Sequence, residues 1–133
     1  RETPMTGAVG NPFQKAKIMI LGAAFKKDVD DTRESPALKI MEFLLQRGVT
    51  VDNLCYNDPH VEKVRVSGVW FKSAALTAES LAAADVVVIA TNHSLYDAEF
   101  IVEHARAIVD TRNLTKNIKG SEKISKLGAG TRF

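Results

Sequence analysis

The run Val86-Val87-Val88-Ile89-Ala90 limits the fold of this 133-residue chain more than any other segment. Five apolar residues in a row, four of them β-branched, suit a strand buried on both faces, as in the interior of a parallel sheet. Lys17 to Leu21 repeats the pattern and stops at Gly22, as a buried strand feeding a turn should. Between the two, Ser35 and Pro36 open a helix and Gly48 closes it. Its inner face is Leu38, Met41, Leu44 and Leu45, widened by Ile40 and Phe43; Lys39, Glu42, Gln46 and Arg47 face outward. Val49 to Tyr56 reads as a second strand ending at the turn Asn57-Asp58-Pro59. Val64 to Phe71 is a weaker strand or a loop, and Thr77 to Ala84 a short helix. Ser94, with Asp97 three residues on, caps a helix from about Leu95 to His104, and Ala107 to Val109 is a last strand. Strands alternating with helices give an α/β domain: a Rossmann-like, three-layer arrangement with a mainly parallel sheet and helices on both faces.

Size and composition agree with one domain. At 45% hydrophobic and 26% charged, the chain can bury a core without metals or disulfides. No apolar stretch reaches the roughly 20 residues of a membrane span, and no secretory signal is evident. One cysteine, Cys55, forms no internal disulfide and no CxxC pair, which favours a reducing, cytoplasmic setting. The first residue is Arg rather than Met, which suggests processing or excision from a longer protein. Residues 1–16, with two prolines and two glycines, read as a linker or arm. Residues 112–133 carry six Lys/Arg against one Glu, so the net +2 divides into +5 there and −3 elsewhere. No aromatic lies between Lys116, Lys119, Lys123 and Lys126 to stack on a base. A solvated helix face or frayed end therefore describes this tail better than a nucleic-acid surface.

Ligands of open parallel sheets bind at the carboxyl ends of the strands. Three such ends are rich in polar groups: Gly22 to Arg33, Thr91 to Ser94, and Asp110 to Asn113. They place Lys26, Arg33 and Arg112 on one rim, beside the helix N-terminus at Pro36. Paired guanidinium donors, a compact ammonium and helix N–H groups together fit a phosphorylated anion. The loop after the first strand has only Gly22, so it lacks the GxGxxG turn that grips a dinucleotide, and no GxxxxGK[ST] phosphate loop occurs. Asp28, Asp30 and Asp31 lack EF-hand spacing and suit local pairing with Lys26, Lys27 or Arg33 better than a metal. Cys55 reads as a packed thiol rather than a nucleophile. Trp70 and Phe71 read as core, and His60 and His104 as surface. Two residues keep two readings each. His93 either bonds a ligand or caps the next helix. Phe25 either shields a ligand ring or folds back on the core.

The loop Gly22-Ala23-Ala24-Phe25-Lys26-Lys27-Asp28-Val29-Asp30-Asp31-Thr32-Arg33-Glu34-Ser35-Pro36 resembles the C-terminal, UDP-binding domain of the UDP-glucose/GDP-mannose dehydrogenases. Asp58-Pro59, Ala84 to His93, and Asp110-Thr111-Arg112-Asn113 extend the resemblance over about residues 17–113. Asn57 and Asn92 depart slightly from the family's commoner YDP and TDH. The resemblance implies a UDP-sugar-binding domain over 17–113, followed by a basic tail at 114–133. It implies oxidation of a sugar C6 alcohol to a carboxylate in two hydride transfers, using two NAD per sugar, with NAD bound mainly by an N-terminal Rossmann domain. The family's catalytic Cys lies in a Gly-rich motif that Cys55 does not match, so this chain carries no catalytic residue and is inactive alone.

By position, Phe25 and Lys26 would contact the UDP-sugar and Arg33 would reach the NAD phosphates. Arg112 would bind the nucleotide sugar, its own or that of a partner subunit in a homo-oligomer. DVDDTRESPA with TNHSLYD and DTRN resembles the UDP-N-acetylhexosamine 6-dehydrogenases most. The rival expectation is a stand-alone Rossmann-like module that senses a nucleotide without chemistry.

Overall fold

Alternating apolar stretches produce alternating elements in the computed structural model, which describes residues 15–24, 35–118 and 121–126. β1 (Ile18–Leu21) is buried at all four positions because both of its faces are covered. Ile18 and Ile20 meet α1 (Pro36–Gln46), while Met19 and Leu21 join the core under α2 (Ala78–Ala83) and α3 (Ala98–His104). β1 pairs in parallel with β2 (Leu54–Asn57) on one side and β5 (Val86–Ile89) on the other. β6 (Ile108–Asp110) and β7 (Ile124–Lys126) continue the sheet in parallel, giving the order β2-β1-β5-β6-β7. The result is the three-layer, Rossmann-like architecture expected from the strand pattern.

The helix punctuation follows the side chains. Ser35 Oγ accepts the Ala37 N–H at 3.2 Å with Pro36 at the first position. α1 buries Ala37, Met41 and Leu44 but leaves Phe43 half in solvent, under the Arg47 guanidinium at 4.7 Å. Thr77 and Ser80 satisfy each other's backbone N–H groups at the start of α2. α3 is capped by Asp97, whose carboxylate accepts the Glu99 and Phe100 N–H groups, so the helix starts later than a Ser94 cap would place it.

Three stretches differ from the sequence reading. Val51 to Asn53 forms a turn of 3-10 helix, and the second strand begins only at Leu54. Val64 to Phe71 is neither one strand nor a loop. It lies in an antiparallel hairpin of β3 (Lys63–Val66) and β4 (Val69–Lys72), closed by Ser67 and Gly68, both at positive φ. Such two-residue turns match the twist of the flanking strands. The hairpin sends Val64, Val66 and Phe71 into the α1 side of the core and turns Trp70 outward, 59% exposed beneath Lys63 and Arg65. Within the basic tail, Ile124–Lys126 adds a fifth strand rather than a helix face or frayed end.

Gly22 is far more tightly surrounded than Gly68. Its φ is 93°, and a Cβ there would sit 2.4 Å from the Thr91 side chain. Gly68, at φ 79°, has nothing within 4 Å of the same point. Gly22→Ala is expected to cost about 2 kcal/mol or more, and Gly68→Ala only about 1 kcal/mol. Urea unfolding of both variants checks the order; equal losses would show that packing against Thr91 contributes nothing.

Candidate functional site

A parallel sheet ending in polar loops must satisfy the last carbonyls and amides of each strand, and here that requirement builds the rim. β1 lies between β2 and β5, so its carboxyl end is the point where the connections diverge to opposite sides of the sheet. Leu21 C=O accepts the N–H groups of Ala90 and Thr91, and Gly22 N–H donates to Asn57 C=O at 2.8 Å. Thr91 Oγ1 donates to Ala24 C=O at 2.8 Å.

Asp58, just past β2, is fully enclosed at its side chain. Its Oδ2 accepts Ala23 N–H at 2.6 Å, Ala24 N–H at 3.0 Å and His93 Nε2 at 2.8 Å; Oδ1 accepts His60 N–H at 2.7 Å. Tyr96 Oη donates to Asn57 C=O. Burial first, and the Asp58 charge second, push the Tyr96 phenol far above its ordinary range, so it remains a hydrogen-bond donor. One carboxylate therefore ties together the loops that leave β1, β2 and β5.

A second buried carboxylate, Asp110, organises the loop after β6. Oδ1 accepts the N–H groups of Arg112 and Leu114, and Oδ2 accepts both the N–H and the Oγ1 hydroxyl of Thr115. The turn passes through Asn113 at φ 60°, a region that Asn tolerates. With its backbone fixed in this way, Arg112 donates Nε–H to Ala90 C=O at 2.9 Å. Among the described residues its two terminal amino groups have no other partner. They belong to a cavity of about 370 Å³ lined by Asn92, His93, Ser94, Tyr96, Arg112, Asn113, Leu114 and Lys116. This is a polar pocket with a fixed guanidinium in its wall and a lysine beside it, suited to a phosphate oxyanion.

The structure thus brings together two of the three strand ends expected to converge, those after β5 and β6, and fixes where the third begins. Arg112 stands in the site. Phe25, Lys26 and Arg33 lie outside the described residues, as do Asp28, Asp30 and Asp31. His93 turns out to be buried, with Nε2 on Asp58 and its ring 4.8 Å from that of exposed His60. Cys55 is half-buried in β2, its thiol pushed up by burial, as befits a packed side chain. Trp70 is on the surface rather than in the core. Lys116, grouped with the tail in sequence, lines the cavity instead. Asp58 was legible only as a turn residue. The signal for more was a carboxylate placed immediately after a buried strand.

The UDP binding domain of the UDP-glucose/GDP-mannose dehydrogenase family matches residues 19–117. The chain belongs to that family. It is 30% identical over 129 residues to a UDP-N-acetyl-D-mannosamine dehydrogenase of Methanococcus maripaludis, covering 89% of this chain and 28% of the relative. It is 30% identical over 107 residues to the UDP-glucose 6-dehydrogenase AglM of Haloferax volcanii, covering 78% and 24%. The solved structure of a UDP-D-ManNAc dehydrogenase from Pyrococcus horikoshii superposes with a TM-score of 0.67 at 29% identity, covering 89% and 27%. The chain spans less than a third of the length of these relatives. No helix among the described residues is long and apolar enough to cross a membrane.

In this member of the family, the loop that carries Arg112 depends on the charge of Asp110. Burial alone would raise that carboxyl's pKa. The bonds from Thr115, Arg112 and Leu114 outweigh burial and hold it below the ordinary value. A carboxyl lowered in the folded state stabilises the fold above its unfolded pKa, about 3.9. That contribution is lost as pH falls from there through the lower folded value. Asp110→Asn should be less stable than the unsubstituted chain at pH 6, with the gap narrowing below about pH 4. Urea midpoints taken from pH 6 to pH 2.5 check this; a constant gap would show that the charge of Asp110 is not what matters.

Proposed function

We propose that this chain binds the nucleotide diphosphate of a UDP-sugar and forms the nucleotide-sugar-binding part of an NAD-dependent UDP-sugar 6-dehydrogenase. One observation carries this reading. Arg112 is held at its backbone by Asp110 and at Nε by Ala90 C=O, which leaves its terminal amino groups for a polar cavity at the carboxyl rim. A guanidinium fixed at two points gives up little conformational freedom on binding, so its bonds to a phosphate are made cheaply. Lys116 adds a second cation, and Asn92, Ser94 and Asn113 offer donors and acceptors to the sugar or the base. Phe25 and Lys26 complete the contacts to the UDP-sugar, with Phe25 shaping the pocket.

NAD, when bound, accepts the hydride. The sequence after β1 supplies only Gly22 of the three glycines of the dinucleotide turn, and Thr91 occupies the place of a Cβ there. NAD is accordingly assigned to the N-terminal domain of the same enzyme, with Arg33 reaching toward its phosphates. No catalytic residue is assigned to this chain. The names of several relatives favour a UDP-N-acetylhexosamine as substrate; we read the whole enzyme as a cytoplasmic homo-oligomer that supplies acidic sugars for polysaccharide synthesis.

Titration of the 133-residue chain with UDP, UMP and uridine, followed by NMR shift changes up to millimolar ligand, tests the reading. UDP should bind most tightly and uridine least. Arg112→Ala should weaken UDP about ten-fold or more while leaving uridine nearly unchanged. Equal affinities for UDP and uridine, or UDP binding indifferent to Arg112→Ala, would remove the diphosphate assignment. In the assembled enzyme Lys26→Ala should raise KM for the UDP-sugar by a similar factor, and an unchanged KM would remove Lys26 from the site.

A further inference from the structure

The cavity has two walls. One is the Asp110 turn with Arg112; the other is the segment Asn92-His93-Ser94, which follows β5. Asp58 holds that second wall down. His93 Nε2 lies 2.8 Å from Asp58 Oδ2, and neither side chain has any exposure. The oxygen already accepts the Ala23 and Ala24 N–H groups, so it can only accept from His93 as well, and Nε2 is the donor. Because Nε2 is committed there, His93 fixes the wall rather than offering that nitrogen to a ligand. The same carboxylate fixes Ala23 and Ala24, immediately before the loop that begins at Phe25. The buried Asp58–His93 pair thus links the wall that carries His93 to the point of departure of the charged loop.

We propose that Asp58 and His93 are positioning residues for diphosphate binding: their bond holds residues 92–94 at the distance from Arg112 that a diphosphate requires. This rests on the UDP-binding reading above. The carboxylate is the anchor and the imidazole the strut, and neither touches the ligand through the atoms that join them. Tyr96 N–H, which donates to His93 C=O at 3.1 Å, reports whether the wall is in place.

The test compares His93→Leu, which removes the donor, with His93→Gln, whose amide N–H restores one. Two readouts are taken on the 133-residue chain: UDP affinity by NMR titration, and protection of the Tyr96 amide from hydrogen exchange. His93→Leu should weaken UDP about ten-fold or more and lose most of the Tyr96 protection, while His93→Gln keeps both within about three-fold. Should His93→Leu not fold, Asp58→Asn carries the same comparison, since it keeps the shape of the anchor and removes its charge. A folded His93→Leu or Asp58→Asn variant with either readout unchanged overturns the proposal, and so does a His93→Gln variant no better than His93→Leu. Failure of the unsubstituted chain to bind UDP would overturn the diphosphate reading and this proposal with it. Normal UDP binding by His93→Leu would overturn the positioning role alone.

Discussion

The carboxyl rim depends on how β1 ends. Leu21 is the last residue with a regular partner on both sides, and its carbonyl takes two N–H groups from Ala90 and Thr91, just past the end of β5. The next residue has to turn where the neighbouring backbone leaves no room for a side chain, and only glycine meets that demand at positive φ. The sheet can then pack β1 hard against β5, because the turn occupies no more width than a peptide unit. The placing of the segment after β5 beside the end of β1 follows from that close approach.

Two buried aspartates complete the rim by the same means. Each lies at the end of a strand, and each gathers three or more N–H or O–H donors that would otherwise be buried without partners. A carboxylate does this better than a neutral acceptor, since its bonds are charge-assisted and its two oxygens can serve separate segments. Asp58 spends its oxygens on three different loops. Asp110 spends both on one turn, which is why that turn can present a rigid arginine.

Much of this was legible in sequence because it rests on local rules. The helix from Pro36, the buried runs at Lys17 and Val86, and the polar strand ends are patterns of burial and capping that need no tertiary knowledge. The hairpin was missed although its cue was present. Lys63-Val64-Arg65-Val66 alternates and Ser67-Gly68 follows it as a turn, but Val69-Trp70-Phe71 is an unbroken apolar run in which Trp70 reads as core. In the pair of strands it falls in the outward register, where Lys63 and Arg65 cover part of its ring. β7 was missed for a different reason: a three-residue strand in a lysine-rich segment has no periodicity to read, and only the exposed edge of β6 calls it into the sheet. The buried tie between Asp58 and His93 joins residues 35 apart, a relation that pattern reasoning on one chain does not reach.

The filled turn at Gly22 also determines what kind of nucleotide site this is. A glycine-rich turn holds pyrophosphate with backbone N–H groups, which no single substitution removes. Here that space belongs to Thr91, and the Ala23 and Ala24 N–H groups that follow are committed to Asp58. On the proposed reading, recognition of an anion falls to side chains, with Arg112 and Lys116 lining the described cavity. Side chains can be lost one at a time, and their charges are screened by salt more than buried backbone dipoles are. The structure offsets that weakness by rigidity, fixing the backbone of Arg112 through Asp110 and its Nε through Ala90. The net charge of the chain says little about this. What binds an anion is a cation whose position has been fixed before the ligand arrives.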